Sequence, residues 1–131
     1  MVIDSSAALA ILLGEADDAA FAAAIEADPT RMMSAVSVLE TSIVVEARKG
    51  PAAGRELDLL LHRGRIDVVP FNGQQLELAR DAYRRYGKGK HRAALNFGDC
   101  CAYALAAASG EPLLFKGADF IQTDIPSALS G

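Results

Sequence analysis

Apolar positions along this chain fall into short consecutive runs separated by longer stretches with helical spacing. Val2-Ile3, Arg31-Met32-Met33-Ser34, Ile66-Asp67-Val68-Val69-Pro70 and Pro112-Leu113-Leu114-Phe115 read as four short strands. Consecutive rather than alternating apolar residues are the mark of strands covered on both faces. Between them the spacing predicts helices. The first runs from Ala7 to Leu13 after Ser5-Ser6 and ends at Gly14. The second carries Glu15, Asp17 and Asp18 in its first turn, where acids complement the positive helix end, and Asp28-Pro29 closes it. A third is capped by Ser37, with Glu40 at the capping-box position and an inward stripe of Val36, Leu39, Ile43, Val44 and Ala47.

Gly50-Pro51 breaks the chain before a fourth helix over Ala53–His62, with Leu57, Leu60 and Leu61 inward. Asn72 caps a fifth, which carries Leu76, Leu78, Ala79, Ala82 and Tyr83. The sixth follows Asn96-Phe97-Gly98-Asp99 and ends at Ser109-Gly110. It has almost no polar face, so it is buried. Thr123-Asp124-Ile125 reads as an edge strand ahead of a loose Pro-Ser-Ala-Leu-Ser-Gly tail. Alternation of short apolar strands with helices implies a mainly parallel sheet covered on both faces, an α/β sandwich. Ligands of such sheets bind beyond the carboxyl ends of the strands.

A length of 131 residues fits a single domain over 1–131 with a core that needs no disulfide. The only two cysteines are adjacent, point apart on a helix and read as small buried hydrophobes, in keeping with a reducing, cytoplasmic setting. The opening residues lack a basic leader, and no apolar run approaches the roughly 18 to 20 residues of a membrane span. A net charge of -4 argues against a generally basic nucleic-acid coat. It leaves room for one basic strip, Arg84, Arg85, Lys88, Lys90, His91 and Arg92, which reads either as a solvated loop or as a phosphate contact.

Four acids change the picture. Asp4 follows the first strand, Asp119 lies just past the fourth, Asp99 opens the buried sixth helix, and Glu40 lies within the apolar stripe of the third. Each alone reads as a cap or a dipole partner. An uncompensated carboxylate entering a core is costly, however, and in a parallel sheet all four positions can share one edge. Together they would form an oxygen-only anionic cleft that a hard cation relieves, which favours Mg²⁺ or Mn²⁺. His62 and His91 have no ligand spacing, which argues against zinc.

Val2-Ile3-Asp4-Ser5-Ser6-Ala7, Ser37-Val38-Leu39-Glu40, Asn96-Phe97-Gly98-Asp99 and Leu113 to Phe120 resemble, in order and spacing, the motifs of PIN-domain ribonucleases, and most of all the VapC toxins of bacterial type II toxin–antitoxin pairs. The resemblance spans essentially the whole chain. It implies a PIN-like three-layer α/β/α sandwich and a Mg²⁺-dependent endoribonuclease, with Mn²⁺ also supporting activity. Its targets would be structured RNA of the tRNA or rRNA class, cleaved by in-line attack of a metal-bound water to leave 5′-phosphate and 3′-hydroxyl ends. Asp4 and Asp99 match the principal metal ligands, Glu40 and Asp119 the other catalytic acids, and Ser6 a supporting hydroxyl behind them. Arg84, Arg85, Lys88, Lys90, Arg92 and Lys116 are the candidate RNA contacts.

A cognate VapB antitoxin and a homodimer are the implied partners. The apolar first two helices, with Leu9, Leu12, Leu13, Phe21, Ala24 and Ile25, suit a groove for a partner helix. Ala118 stands where relatives often carry a polar residue, and Asp124 reads as a structural residue at a strand end.

Three competing readings fit less well. A receiver-type phosphotransfer protein needs an acidic pair after the first strand, and a haloacid-dehalogenase-like phosphatase needs an acid two residues after Asp4, where Ser6 stands. A PIN-like RNA-binding or regulatory module with little nuclease activity would be marked by loss of an acid, and all four are present.

Overall fold

A computed structural model describes residues 1–129. Four strands, β1 (Val2–Ile3), β2 (Met32–Ser34), β3 (Asp67–Val69) and β4 (Leu113–Leu114), form one sheet in the order β3-β2-β1-β4, and every pairing is parallel. Val2 pairs with both Met32 and Leu113, and Ile3 with Leu114, so β1 lies in the interior of the sheet. Six helices cover it: α1 (Ser5–Leu12), α2 (Asp18–Ala27), α3 (Ala35–Lys49), α4 (Gly54–Arg63), α5 (Gly73–Tyr86) and α6 (Phe97–Ser109).

The two faces of β1, β2 and β4 serve two cores, whereas β3 gives Val69 to one of them and leaves Val68 45% exposed. Val2, Met32, Val69 and Leu113 pack with α5 and α6, while Ile3, Met33 and Leu114 pack with α1 and α2 and against Leu60 and Leu61 of α4. This is the three-layer α/β/α sandwich that the strand–helix alternation implies. Burial of α6 is nearly complete from Cys100 to Ala106. Gly110, with φ at +70°, ends it in the left-handed turn that glycine adopts without strain. Both cysteines are buried and unpaired, as expected of packing residues.

Three local expectations change. Helix α3 begins two residues earlier than Ser37: Ser34 is its cap, accepting the Val36 N–H at 3.2 Å, and Ser37 lies fully buried in the first turn. The face it buries is Ser37, Thr41 and Val45, whereas Leu39 and Ile43 are 61% and 58% exposed. Thr41 tolerates burial because its hydroxyl donates to the Ser37 carbonyl at 2.7 Å. On the fourth helix, by contrast, the expected face holds: Leu57 is buried and Leu60 and Leu61 pack against the core, with Leu59 exposed. Finally, 123–125 forms a bend; the chain meets β4 two residues later, through Leu113 N–H to the Pro126 carbonyl and Ala128 N–H to the Leu113 carbonyl. The last two residues of the tail, 130–131, lie outside the described residues.

Candidate active site

All four acids belong to segments that meet at the carboxyl end of the sheet. Asp4 ends β1 and caps α1. Its Oδ2 accepts the Ser6 N–H at 3.1 Å and the Ser6 hydroxyl at 2.6 Å, while its backbone N–H donates to the Leu114 carbonyl at 2.9 Å. The Asp4 side chain is buried, and Oδ1 has no partner among the described residues. Burial pushes its carboxyl up to about 6 against the opposing Ser6 hydrogen bonds, and the charges of Asp99 and Glu40 add to the rise. Ser6 is also tied from behind, its hydroxyl oxygen accepting the Lys116 backbone N–H at 2.9 Å. One hydroxyl therefore joins the exit of β4 to the acid at the exit of β1.

Asp99 is both a cap and a member of the cluster. Its N–H donates to Asn96 Oδ1 at 2.9 Å, and its Oδ2 accepts the Asn96 N–H at 3.0 Å, a complete capping box. The cap engages one of its two oxygens. Burial raises its carboxyl above the ordinary range, the Asn96 N–H opposes this, and Asp119 and Glu40 raise it further.

Glu40 reaches the cluster from α3 and accepts the Ser5 hydroxyl on Oε1 at 2.8 Å. It is therefore not the capping-box partner of Ser37, whose hydroxyl is buried without a partner. A Cβ on Gly98 would lie 2.6 Å from one Glu40 oxygen and 2.7 Å from the other. The glycine beside Asp99 is thus what lets α6 approach the Glu40 carboxylate. Ser5 and Gly98 are site residues that sequence reasoning did not single out, although the pairing of Gly98 with Asp99 was visible in the motif.

Asp119 is exposed at the start of the 3-10 turn Phe120–Gln122, and its side chain makes no capping bond there. Among the described residues no three His, Cys, Asp or Glu side chains close into a ready-made ion cage. The acids interact through charge, Asp99 and Glu40 acting on Asp4, and Asp119 and Glu40 acting on Asp99. The donor set nonetheless fits a hard, hydrated dication: it is all oxygen, it includes an unpartnered buried carboxylate oxygen, and the neighbouring acids raise the proton affinity of Asp4 and Asp99.

The basic strip forms a closed loop. Lys88 N–H donates to the Leu95 carbonyl and Leu95 N–H to the Tyr86 carbonyl, each at 3.0 Å, and His91 Nδ1 accepts the Ala93 N–H. Arg84, Lys88, Lys90 and Arg92 are exposed, with the Lys90 ammonium 5.5 Å from the Tyr83 ring centroid. Arg85 is instead held by Asp124 and Asp81. Lys116 is likewise held, by Glu15 at 3.0 Å and Asp17 at 3.1 Å. Beside the acids, Phe97 is 78% exposed, between an apolar hollow of about 450 Å³ that includes Tyr83 and Cys100 and one of about 240 Å³ that includes Leu39, Ile43 and Glu40.

Comparison with known proteins gives a consistent result. The PIN domain family model matches residues 1–126. The chain is 58% identical over 125 residues to Ribonuclease VapC30 of Mycobacterium tuberculosis, covering 95% of each protein. It is 56% identical to Ribonuclease VapC of Mycolicibacterium smegmatis over 95% of this chain and 97% of that one. Among solved structures, Mycobacterium tuberculosis VapC20, a sarcin–ricin loop cleaving toxin, superposes with a TM-score of 0.77 at 17% identity, over 95% of both chains.

Proposed function

This chain belongs to the PIN-domain family and, within it, to the VapC ribonuclease toxins, and from that premise we propose that it cleaves structured RNA of the tRNA or rRNA class in the cytoplasm with Mg²⁺ or Mn²⁺ held by Asp4, Glu40, Asp99 and Asp119. The observation that carries this reading is the buried, unpartnered Oδ1 of Asp4 beside Asp99 and Glu40. A carboxylate in that state needs a proton or a cation, and at neutral pH the cation suits the oxygen-only surroundings. When bound, the dication supplies Lewis acidity toward the phosphate and lowers the pKa of water in the site.

The protein's own groups account for the rest. Ser6 donates to Asp4 Oδ2 and so fixes the carboxylate with Oδ1 left unpartnered. The Asn96 box fixes Asp99 on the rigid, buried α6. Ser5 orients Glu40, and Gly98 leaves room for it. Arg84, Lys88, Lys90 and Arg92 offer exposed positive charge for RNA phosphates, contacts that position a substrate without reading its sequence. No helix among the described residues is long and apolar enough to cross a membrane.

Two partner surfaces go with this reading. A groove of about 620 Å³ between α2 and α4, lined by Ile11, Ile25 and Leu60 together with Arg31, Arg63 and Arg65 against the single acid Glu26, suits an amphipathic antitoxin helix carrying acids. The exposed Leu39, Ile43 and Phe97, with the hollows on either side of Phe97, form a knob-and-hole face suited to a second copy.

Mapping RNA 5′ ends in cells expressing the wild type or Asp99→Asn tests the function. New, recurrent 5′ ends are expected with the wild type alone, and in vitro the same cuts should vanish in EDTA. Identical end profiles for both proteins would overturn the proposal.

A further inference from the structure

The segment from Lys116 to Asp124 carries Asp119, whose side chain makes no capping bond, although its carbonyl accepts the Gln122 N–H at 3.3 Å. The segment is fixed at both ends and at its centre. At the start, the Lys116 N–H is bound by Ser6 and its ammonium by Glu15 and Asp17. In the middle, Phe120 is buried with its ring centroid 5.2 Å from that of Phe115. At the far end both oxygens of Asp124 are taken. Oδ1 accepts the Tyr103 hydroxyl at 2.5 Å, and Oδ2 accepts Arg85 Nη2 at 3.2 Å.

Tyr103 is buried on α6, one helical turn after Asp99 and therefore on the same face. Arg85 is committed as well: it donates to the Tyr86 hydroxyl at 2.8 Å and lies within 3.5 Å of Asp81 and 3.4 Å of the Tyr103 hydroxyl. We propose that Tyr103, Asp124 and Arg85 form a buckle that sets the position of Asp119 against Asp99, and that Arg85 acts as a positioning residue rather than an RNA contact. This rests on the reading that Asp119 helps hold the dication. Burial alone would raise the Asp124 carboxyl, but the hydrogen bonds from Tyr103 and Arg85 leave it below the ordinary range, as a permanently ionised clasp requires.

The buckle works through geometry. One of its members shares a helix with Asp99, and another lies five residues past Asp119 across a single 3-10 turn. Loosening it therefore changes the spacing between two acids without touching either.

Calorimetric titration of Mn²⁺ into the full chain without RNA tests this. Asp124→Asn and Tyr103→Phe should weaken Mn²⁺ binding on the order of tenfold, as loss of groups behind metal ligands typically does. Amide exchange over 117–122 in the metal-free protein should quicken in both variants, while exchange in α1 stays as in the wild type. RNA affinity in EDTA should be unchanged by Asp124→Asn and by Arg85→Gln. Tyr103→Phe keeps the buried ring, so the test survives if Asp124→Asn folds poorly. Wild-type Mn²⁺ affinity in Tyr103→Phe and in a folded Asp124→Asn would overturn the buckle, as would loss of RNA binding in Arg85→Gln with metal affinity intact. Asp119→Asn separates the two levels. If it too leaves Mn²⁺ binding unchanged, the underlying metal reading fails. If it weakens binding while the buckle variants do not, only the buckle fails.

Discussion

Burying Asp4 at 3% exposure sets proton binding and cation binding against each other at one carboxylate. In the metal-free protein its pKa stands at about 6 against an ordinary 3.8. The sign follows from linkage: the folded state binds the proton more tightly than the unfolded chain. The penalty of the ionised form is absent below about pH 4 and complete above about pH 6, so stability rises as pH falls between them. Asp28 and Asp124, both held below the ordinary range, contribute the other way, and their stabilisation is lost only on further acidification. The metal-free wild type should therefore melt several degrees higher at pH 5 than at pH 7.5. The Asp4 share of that gain is about 1.4 kcal/mol, since pH 5 lies about one unit below its folded pKa and one unit corresponds to about 1.4 kcal/mol. Differential scanning calorimetry in EDTA should show the rise in the wild type and a much flatter profile in Asp4→Asn. Equal slopes in the two proteins would mean that Asp4 is not the strained group. Mn²⁺ affinity should move oppositely, falling as pH drops below 6 because the proton must leave for the cation to bind.

At the scale of elements, the decisive contact is the approach of α6 to α3. Gly98 lies where a methyl group would meet the Glu40 carboxylate at 2.6 Å. Alanine normally favours a helix over glycine by about 1 kcal/mol, so Gly98→Ala in isolation should help α6. Here the clash dominates. Gly98→Ala is expected to displace Glu40 and lower RNA cleavage at least tenfold. In a Glu40→Ala background the same change should become neutral or stabilising by up to about 1 kcal/mol. A thermodynamic cycle of chemical denaturation on the four proteins checks this, and additive effects would show that the two residues do not interfere.

The same pair of helices shows what the sequence made legible. Short apolar strands and the carboxyl-end placement of Asp4, Asp99 and Asp119 were readable because a buried parallel strand has no polar face and its exit is where a helix must begin. The orientation of α3 was not. Leu39 and Ile43 look inward by periodicity, yet the helix buries Ser37, Thr41 and Val45. Hydrophobicity marks a face that wants cover and does not say whether this chain supplies it. Small polar residues whose hydrogen bonds close locally, as Thr41 does onto Ser37, pack at close helix contacts without any apolar signal. Arg85 and Lys116 were unreadable for a related reason. A cation's partner lies far along the chain, Asp124 for one and Glu15 with Asp17 for the other.

The molecule as a whole divides its surface among different tasks. The carboxyl end of the sheet gathers acids, the α2–α4 groove sets Ile11, Ile25 and Leu60 beside Arg63 and Arg65, and Leu39, Ile43, Leu76, Tyr83 and Phe97 expose apolar surface on α3, α5 and the start of α6. A single-chain surface seldom keeps so many large apolar side chains bare in one region. Phe97, between two hollows on its own face, can insert into a copy of one of them across a two-fold axis, and such an isologous contact closes after two subunits. Ile43, 58% exposed on α3, lies in this face but carries none of the acids. Ile43→Glu would place two like charges near one another across the axis, with no cost to the isolated fold because the position is solvated there. Sedimentation velocity at micromolar concentration should find the wild type dimeric and Ile43→Glu monomeric, with identical circular dichroism and the same Mn²⁺ affinity per chain. A wild type that stays monomeric at tens of micromolar would assign the face to another occupant. A variant that stays dimeric would move the interface elsewhere. Loss of Mn²⁺ affinity on dissociation would show that the acid cluster depends on the second copy, a coupling that the complete set of four acids within one chain argues against.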